Sequence, residues 1–278
     1  MNSGLIKVNE LNIGDYMSRN PITVQSDLKV KDAVVIMTDK GIGNLIVTKN
    51  KMPISILTER EVLRFLASWR KIPNNILSYF KLQSFSKVCE GISITHAAKI
   101  MISTKSKLLV FDIDNGNNDT LIGIITASDI IRAFRNTELD PPLEDVMTRK
   151  IFHVNYNDNI LKAITTMYSK RIGSLIVTNN DNDKNDSSNK TEPYGIFTER
   201  DLTTKIVVKD IGLSEKVGDY CTTPLVTARH GIRANEAADI IYLNRVKRLP
   251  LIDPVSEDNK IVSIVTARDI VEAFQKNQ

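Results

Sequence analysis

One phrase occurs four times in the chain: SILTERE at 55–61, GIITASD at 123–129, GIFTERD at 195–201 and SIVTARD at 263–269. Each copy is a β-branched apolar run that ends at a threonine and is followed, three residues on, by Asp or Glu. The threonines Thr58, Thr126, Thr198 and Thr266 lie 68, 72 and 68 residues apart, and both pair-to-pair intervals are 140. A period of this kind means that one supersecondary unit is reused, here as two copies of a two-unit module. Units of roughly 60 residues bury too little apolar surface to be comfortable alone, so they have to pack on one another.

Each unit reads as strand, helix, strand, strand, helix. In the first, PITV at 21–24 is a short strand, and a helix capped at Ser26 or Asp27 carries apolar Leu28, Val30, Ala33, Val34 and Met37. Gly41 stops that helix. NLIVT at 44–48 and PISILT at 53–58 then form a hairpin about Lys49-Asn50-Lys51, and a second helix follows Thr58. The third unit repeats the order with FHVN, a helix over 160–168, GSLIVT, YGIFT and a helix from Glu199. The fourth does so with LVTA, a helix near 234–244, RLPLID and VSIVT. The second unit, opening on SKVCEGIS, is the least regular. The fold class expected is α+β, with four β-α-β-β-α units paired sheet to sheet. Asp140-Pro141-Pro142 marks the junction, because two prolines cannot continue the preceding helix. The first module is then 1–139, with units at about 11–70 and 81–137, and the second is 140–278, with units at about 143–208 and 215–276.

The phrase itself carries chemistry. Thr-x-x-Glu/Asp after a strand is a capping box, in which hydroxyl and carboxylate satisfy backbone amides at a helix start. The same helix start offers N–H groups and partial positive charge to an anion, and Arg60, Arg200 and Arg268 add formal charge. The carboxylates of Asp129, Asp201 and Asp269 suit the vicinal hydroxyls of a ribose, as the acidic residue of dinucleotide-binding folds does. Hydroxyl, arginine and carboxylate together point to a nucleotide.

With openings such as Met17-Ser18-Arg19-Asn20-Pro21 and Cys221-Thr222-Thr223-Pro224, and with Arg248-Leu249-Pro250-Leu251-Ile252-Asp253, the fourfold phrase resembles tandem cystathionine β-synthase (CBS) domains. Their paired form is the Bateman module. The layout is similar to that of the γ regulatory subunit of AMP-activated protein kinase. The resemblance implies a non-catalytic regulatory protein that binds AMP, ADP, ATP or S-adenosylmethionine as a regulatory ligand, without a cofactor or metal, and modulates a partner protein. It implies two modules closing on one another within a chain or across a homodimer. It assigns the ribose role to Asp129, Asp201 and Asp269 and the adjacent hydroxyl to Thr126, Thr198 and Thr266. Glu61 stands where the pattern has Asp, one methylene longer, beside Thr58, and Ser128 replaces the arginine in the second unit. Thr23, His153 and Thr227, with Gly173, Ser174, Lys247 and Arg248, fall where the family lines its clefts. Arg200 and Arg268 complete the set, and the second module, around Asp201 and Asp269, is expected to be the better binder.

Composition limits the alternatives. Residues 1–139 hold 18 basic and 13 acidic residues and 140–278 hold 19 and 20, so a nucleic-acid-binding protein using the basic first module is the competing reading. Against it, aromatic residues are 6% of the chain and are not interleaved with basic ones. His96, His153 and His230 show no metal-ligand spacing, and no nucleophile–base motif is present. The polar run Asn179–Glu192 faintly resembles a calcium loop but reads as a hairpin insertion. Cys89 and Cys221 suit a reducing compartment, and the start of the chain is not signal-like, so a cytoplasmic location is expected. No stretch approaches the roughly 18 apolar residues that span a bilayer. Trp69, Phe65, Leu63 and Leu66 lie on a helix expected to face a module interface.

Overall fold

The computed structural model describes residues 7–112, 119–135, 137–179, 192–255 and 260–277. The calcium-loop-like run between Asn179 and Glu192 lies outside them. In the first unit, β2 (Thr23–Gln25) is followed by α1 (Val30–Asp39), β3 (Asn44–Lys49), β4 (Met52–Thr58) and α2 (Glu59–Trp69), with β1 (Ser18–Arg19) ahead of them. The second has β5 (Phe85–Cys89), α3 (Ile94–Thr104), β6 (Lys107–Asp112), β7 (Thr120–Ile125) and α4 (Ala127–Phe134). The third has β8 (His153–Asn155), α5 (Ile160–Lys170), β9 (Ser174–Asn179), β10 (Glu192–Thr198) and α6 (Glu199–Asp201), which runs on as a π-helical turn over Leu202–Val207. The fourth has β11 (Ala228–Arg229), α7 (Ala234–Leu243), β12 (Arg248–Ile252), β13 (Ile261–Thr266) and α8 (Ala267–Lys276).

In every unit the first strand pairs parallel to the second, and the second pairs antiparallel to the third. The middle strands are apolar on both faces, which explains why they read as unbroken hydrophobic runs rather than as alternating patterns. In β3, Leu45 and Val47 face the helices, whereas Ile46 joins Ile56, Leu109, Phe111 and Ile124 between the sheets of units one and two. Ile176, Ile196 and Ile261 fill the corresponding layer between units three and four. Modules therefore close sheet to sheet.

Helices join the modules to each other. One core runs from unit one into unit three through Phe65, Leu66, Ile164, Met167 and Leu202, and another runs from unit two into unit four through Ile131, Phe134, Val271 and Phe274. Helix α2 does face this interface, with Leu63, Phe65 and Leu66 buried. Trp69 stands 46% exposed, stacked on Phe65 and tilted against Phe80.

Partners within a module also exchange backbone. The segment before each unit pairs with the last strand of its partner: β1 with β7, Gln83 with Ile56, Thr148 with Ile264 and Thr222 with Ile196. The chain just upstream of those segments caps the partner's first helix. Val30 donates to the Asn75 carbonyl, Ile94 to Leu11, Ile160 to Glu215 and Ala234 to Pro141. This explains a difference from the sequence reading, in which Ser26 or Asp27 caps α1. The helix begins instead at Val30, with Lys29 at the N-cap position and no side-chain cap, and its first amide is satisfied from across the module. The first strand of unit four likewise lies at Ala228–Arg229, not over 225–228, because only those residues register against Leu251 and Ile252.

Candidate nucleotide site

All four helix starts form the capping box. In each, the threonine amide and hydroxyl both donate to one carboxylate oxygen. The distances are 2.8 and 2.8 Å at Asp129, 2.8 and 2.7 Å at Asp201, and 2.8 and 2.8 Å at Asp269. At Glu61 the amide donates over 3.1 Å and the hydroxyl also donates. What distinguishes the units is the second carboxylate oxygen.

At Asp129 that oxygen has, among the described residues, only Arg132, 3.9 Å away, and Asp129 opens on a cleft of about 410 Å³ lined by Ser18, Arg19, Asn20, Ile42, Asn44 and Thr126. At Asp269 the second oxygen takes no hydrogen bond from any described residue. Burial raises the pKa of both aspartates above the ordinary carboxylate value, opposed by the hydrogen bonds from Thr126 and Thr266 respectively. At Asp201 the oxygen accepts from Thr222 Oγ1 at 2.8 Å and pairs with Lys205 Nζ at 2.7 Å. Asp201 is 2% exposed. Both of its oxygens are already taken by the chain itself, so the letters that make units two, three and four look alike stand in different chemical states.

The four phrases converge on a second cavity, of about 560 Å³, between the modules. Seven lysines or arginines line it against three glutamates, so its charge suits an anion. Three of the seven are held by acids that sequence reasoning did not single out. Arg60 Nε lies 2.7 Å from Glu199, Arg248 donates to Glu199 at 3.0 Å, and Lys247 donates to Glu59 at 2.8 Å. A side chain at either glycine beneath these pairs would push them aside. A Cβ on Gly173 would fall 1.8 Å from Arg248 Nη2, and one on Gly43 2.7 Å from Lys247 Nζ. Lys107 also lines the cavity and donates to Gln83 Oε1 at 3.1 Å, and burial pulls its pKa down to about 8 despite the attraction of Glu61. The sequence signal for the two glutamates was present: units one and three read Thr-Glu-Arg, while units two and four read Thr-Ala-x.

Of the residues expected from sequence, Thr58, Glu61, Thr126, Gly173, Ser174, Lys247, Arg248, Thr266 and Arg268 line this central cavity, and Thr126 with Asp129 lines the cleft. Thr23 and His153 are exposed on β2 and β8 and line neither. Thr198, Asp201, Thr227 and Asp269 also lie outside both cavities. Arg200 turns away and donates to the Gly41 carbonyl of the first module at 3.4 Å. No group of three His, Cys, Asp or Glu among the described residues could hold a metal, and none of the described helices is long and apolar enough to cross a membrane.

Four sheets, four helix pairs and four capping-box helix starts define a tandem CBS protein, and the chain belongs to the CBS-domain family: the CBS domain matches residues 13–68, 85–136, 143–208 and 217–276. Among solved structures it is similar to MJ1225 of Methanocaldococcus jannaschii, described as a candidate archaeal homologue of γ-AMPK, at a TM-score of 0.75 and 18% identity, over 95% of this chain and 100% of that one. A Pyrococcus horikoshii protein superposes with a TM-score of 0.62 at 17% identity over 95% of this chain and 100% of its own. In sequence, MJ1225 is 24% identical over 189 residues, 62% of each chain. The inosine-5'-monophosphate dehydrogenase of the same organism is 30% identical over 129 residues, 46% of this chain and 23% of the enzyme. The chain thus spans less than two thirds of the length of either curated relative.

Proposed function

We propose that the protein is a regulatory sensor without catalysis of its own, which binds an adenosine nucleotide such as AMP, ADP or ATP, or S-adenosylmethionine, and passes its occupancy to a partner protein. One observation carries this reading. The Asp129 cleft and the cationic central cavity share Gly43, Asn44 and Thr126 as a common wall. A ribose whose hydroxyls meet the open oxygen of Asp129 has its phosphate side toward Lys107, Lys150, Arg171 and Arg268. A carboxylate at one end and cations at the other match a nucleotide and suit neither a free sugar nor free phosphate. This favours the Asp129 cleft of the first module over the second-module preference drawn from sequence, since Asp201 is already paired. Asp269, with one oxygen that accepts from no described residue, is the second candidate.

The regulatory step follows from the architecture. Arg60–Glu199 and Lys247–Glu59 cross between modules, so phosphate drawn to these cations competes with ion pairs that hold the modules together. A ligand that binds one module pose better than another shifts the population by that difference. The cations lie inside, between the modules, rather than along an exposed stripe, and no structural observation favours a nucleic acid.

A thermal-shift panel of AMP, ADP, ATP and S-adenosylmethionine on wild type and Asp129→Ala tests the reading. A ligand at about 100 times its dissociation constant stabilises by roughly 2.7 kcal/mol per site. Wild type should shift with at least one member and Asp129→Ala by less. No shift with any member refutes nucleotide sensing, and equal shifts refute the Asp129 assignment.

A further inference from the structure

We infer that Lys205 is a built-in plug that closes the Asp201 cleft to nucleosides, so that the chain offers fewer ribose sites than it has capped carboxylates. The inference rests on the proposed nucleotide reading of Asp129.

The Lys205 ammonium has three protons and four oxygens around it: Asp201 Oδ1 at 2.7 Å, the carbonyls of Tyr220 and Cys221 at 3.0 Å each, and Thr222 Oγ1 at 3.2 Å. Thr222 in turn donates to the same Asp201 oxygen. Thr222 is the structural counterpart of Ser18, for Thr222 pairs with Ile196 of β10 as Ser18 pairs with Ile124 of β7. Around Ser18 the space in front of Asp129 is an open cleft. Around Thr222 the equivalent space holds an ammonium. A ribose diol would have to displace an ammonium that is paired to the buried Asp201 carboxylate and held by the Tyr220 and Cys221 carbonyls. Its two hydroxyls do not replace the lost charge partner.

Local backbone puts the lysine there. Four residues beyond the acid, units two and four have Ala133 and Ala273, both buried in the core shared by those units. Unit three has Lys205, which a core would not accept. The helix widens at that point into the π-helical turn Leu202–Val207, and the amine reaches back over the carboxylate. A π-turn at one of four otherwise equivalent helices fits the usual association of such turns with a specialised site.

Isothermal titration of the full chain with AMP, ADP, ATP and S-adenosylmethionine in turn tests the plug. Lys205→Met should bind one more equivalent than wild type, and the added equivalent should vanish in Lys205→Met/Asp201→Ala. Lys205→Gln, which keeps a polar head, serves as the second variant, and unliganded melting curves check that each variant folds. An unchanged stoichiometry in both Lys205 variants, with wild type binding, overturns the plug and leaves the Asp129 reading intact. A wild type that already loses one equivalent on Asp201→Ala also overturns it. If wild type and every Lys205 variant bind none of the four, the underlying reading falls and the plug falls with it.

Discussion

Lys107 offers a quantitative test of the central cavity. Its amine is held among Gln83, Glu61 and Lys247 at the start of β6, and burial lowers its pKa from 10.5 to about 8. Below pH 8 both folded and unfolded chains carry the proton, and the folded state bears the whole cost of enclosing the charge. Between about pH 8 and 10.5 the unfolded state holds more protons than the folded one, so this residue makes stability rise with pH. At about 1.4 kcal/mol per pH unit, the full window is worth roughly 3 kcal/mol and the stretch from pH 7 to 9.5 about 2 kcal/mol. Lys107→Met removes the titration while keeping the stem's apolar volume. The assay is urea unfolding of wild type and variant at pH 7 and at pH 9.5, taking the difference at each pH so that every other titrating group cancels. The variant should gain on wild type at pH 7, and wild type should recover about 2 kcal/mol of that difference by pH 9.5. A wild-type minus variant difference that is flat across this range, at unchanged slope of free energy on urea, refutes the claim that the cavity encloses a charged amine at neutral pH.

Two further outcomes follow from the packing between modules. Glu199→Gln leaves Arg60 and Arg248 without their shared counter-charge; stability measured by urea should fall by about 2–3 kcal/mol, while affinity for inorganic phosphate, measured calorimetrically, should rise because two cations are released. A fall in phosphate affinity would show that Glu199 does not compete with an anion. Phe134 and Phe274 stack at 4.5 Å across the interface of units two and four, both fully buried, so Phe134→Ala should cost about 3–5 kcal/mol in the same assay. A cost below about 1 kcal/mol would mean that the modules do not share a core there.

Much of the architecture was legible because it is repeated. A local pattern such as NLIVT, a turn, PISILT and Thr-x-x-Glu contains its own instructions: β-branched runs make strands, positive φ at Asn50 and Lys51 closes the hairpin, and hydroxyl and acid start the helix. Four copies in register strengthen what each copy says weakly. The pairing of units was legible too, because each copy is too small to stand alone.

The state of each site was not. Asp129, Asp201 and Asp269 occupy the same place in the same phrase, and their local geometry within the capping box is nearly identical. Their difference comes from residues outside the phrase, since Lys205 sits a turn beyond Asp201 and Thr222, 21 residues from Asp201, meets it on the same oxygen. The start of α1 was misplaced as well, for its first amide takes the carbonyl of residue 75 and neither Ser26 nor Asp27 caps it. The amino-acid sequence by itself determined the four units, their order and the carboxylate at each helix mouth, because those rest on interactions a few residues long. Only the tertiary structure decided which carboxylates stay open and where the charge collects. An oxygen's availability depends on every group that reaches it, and most of those groups come from elsewhere in the chain.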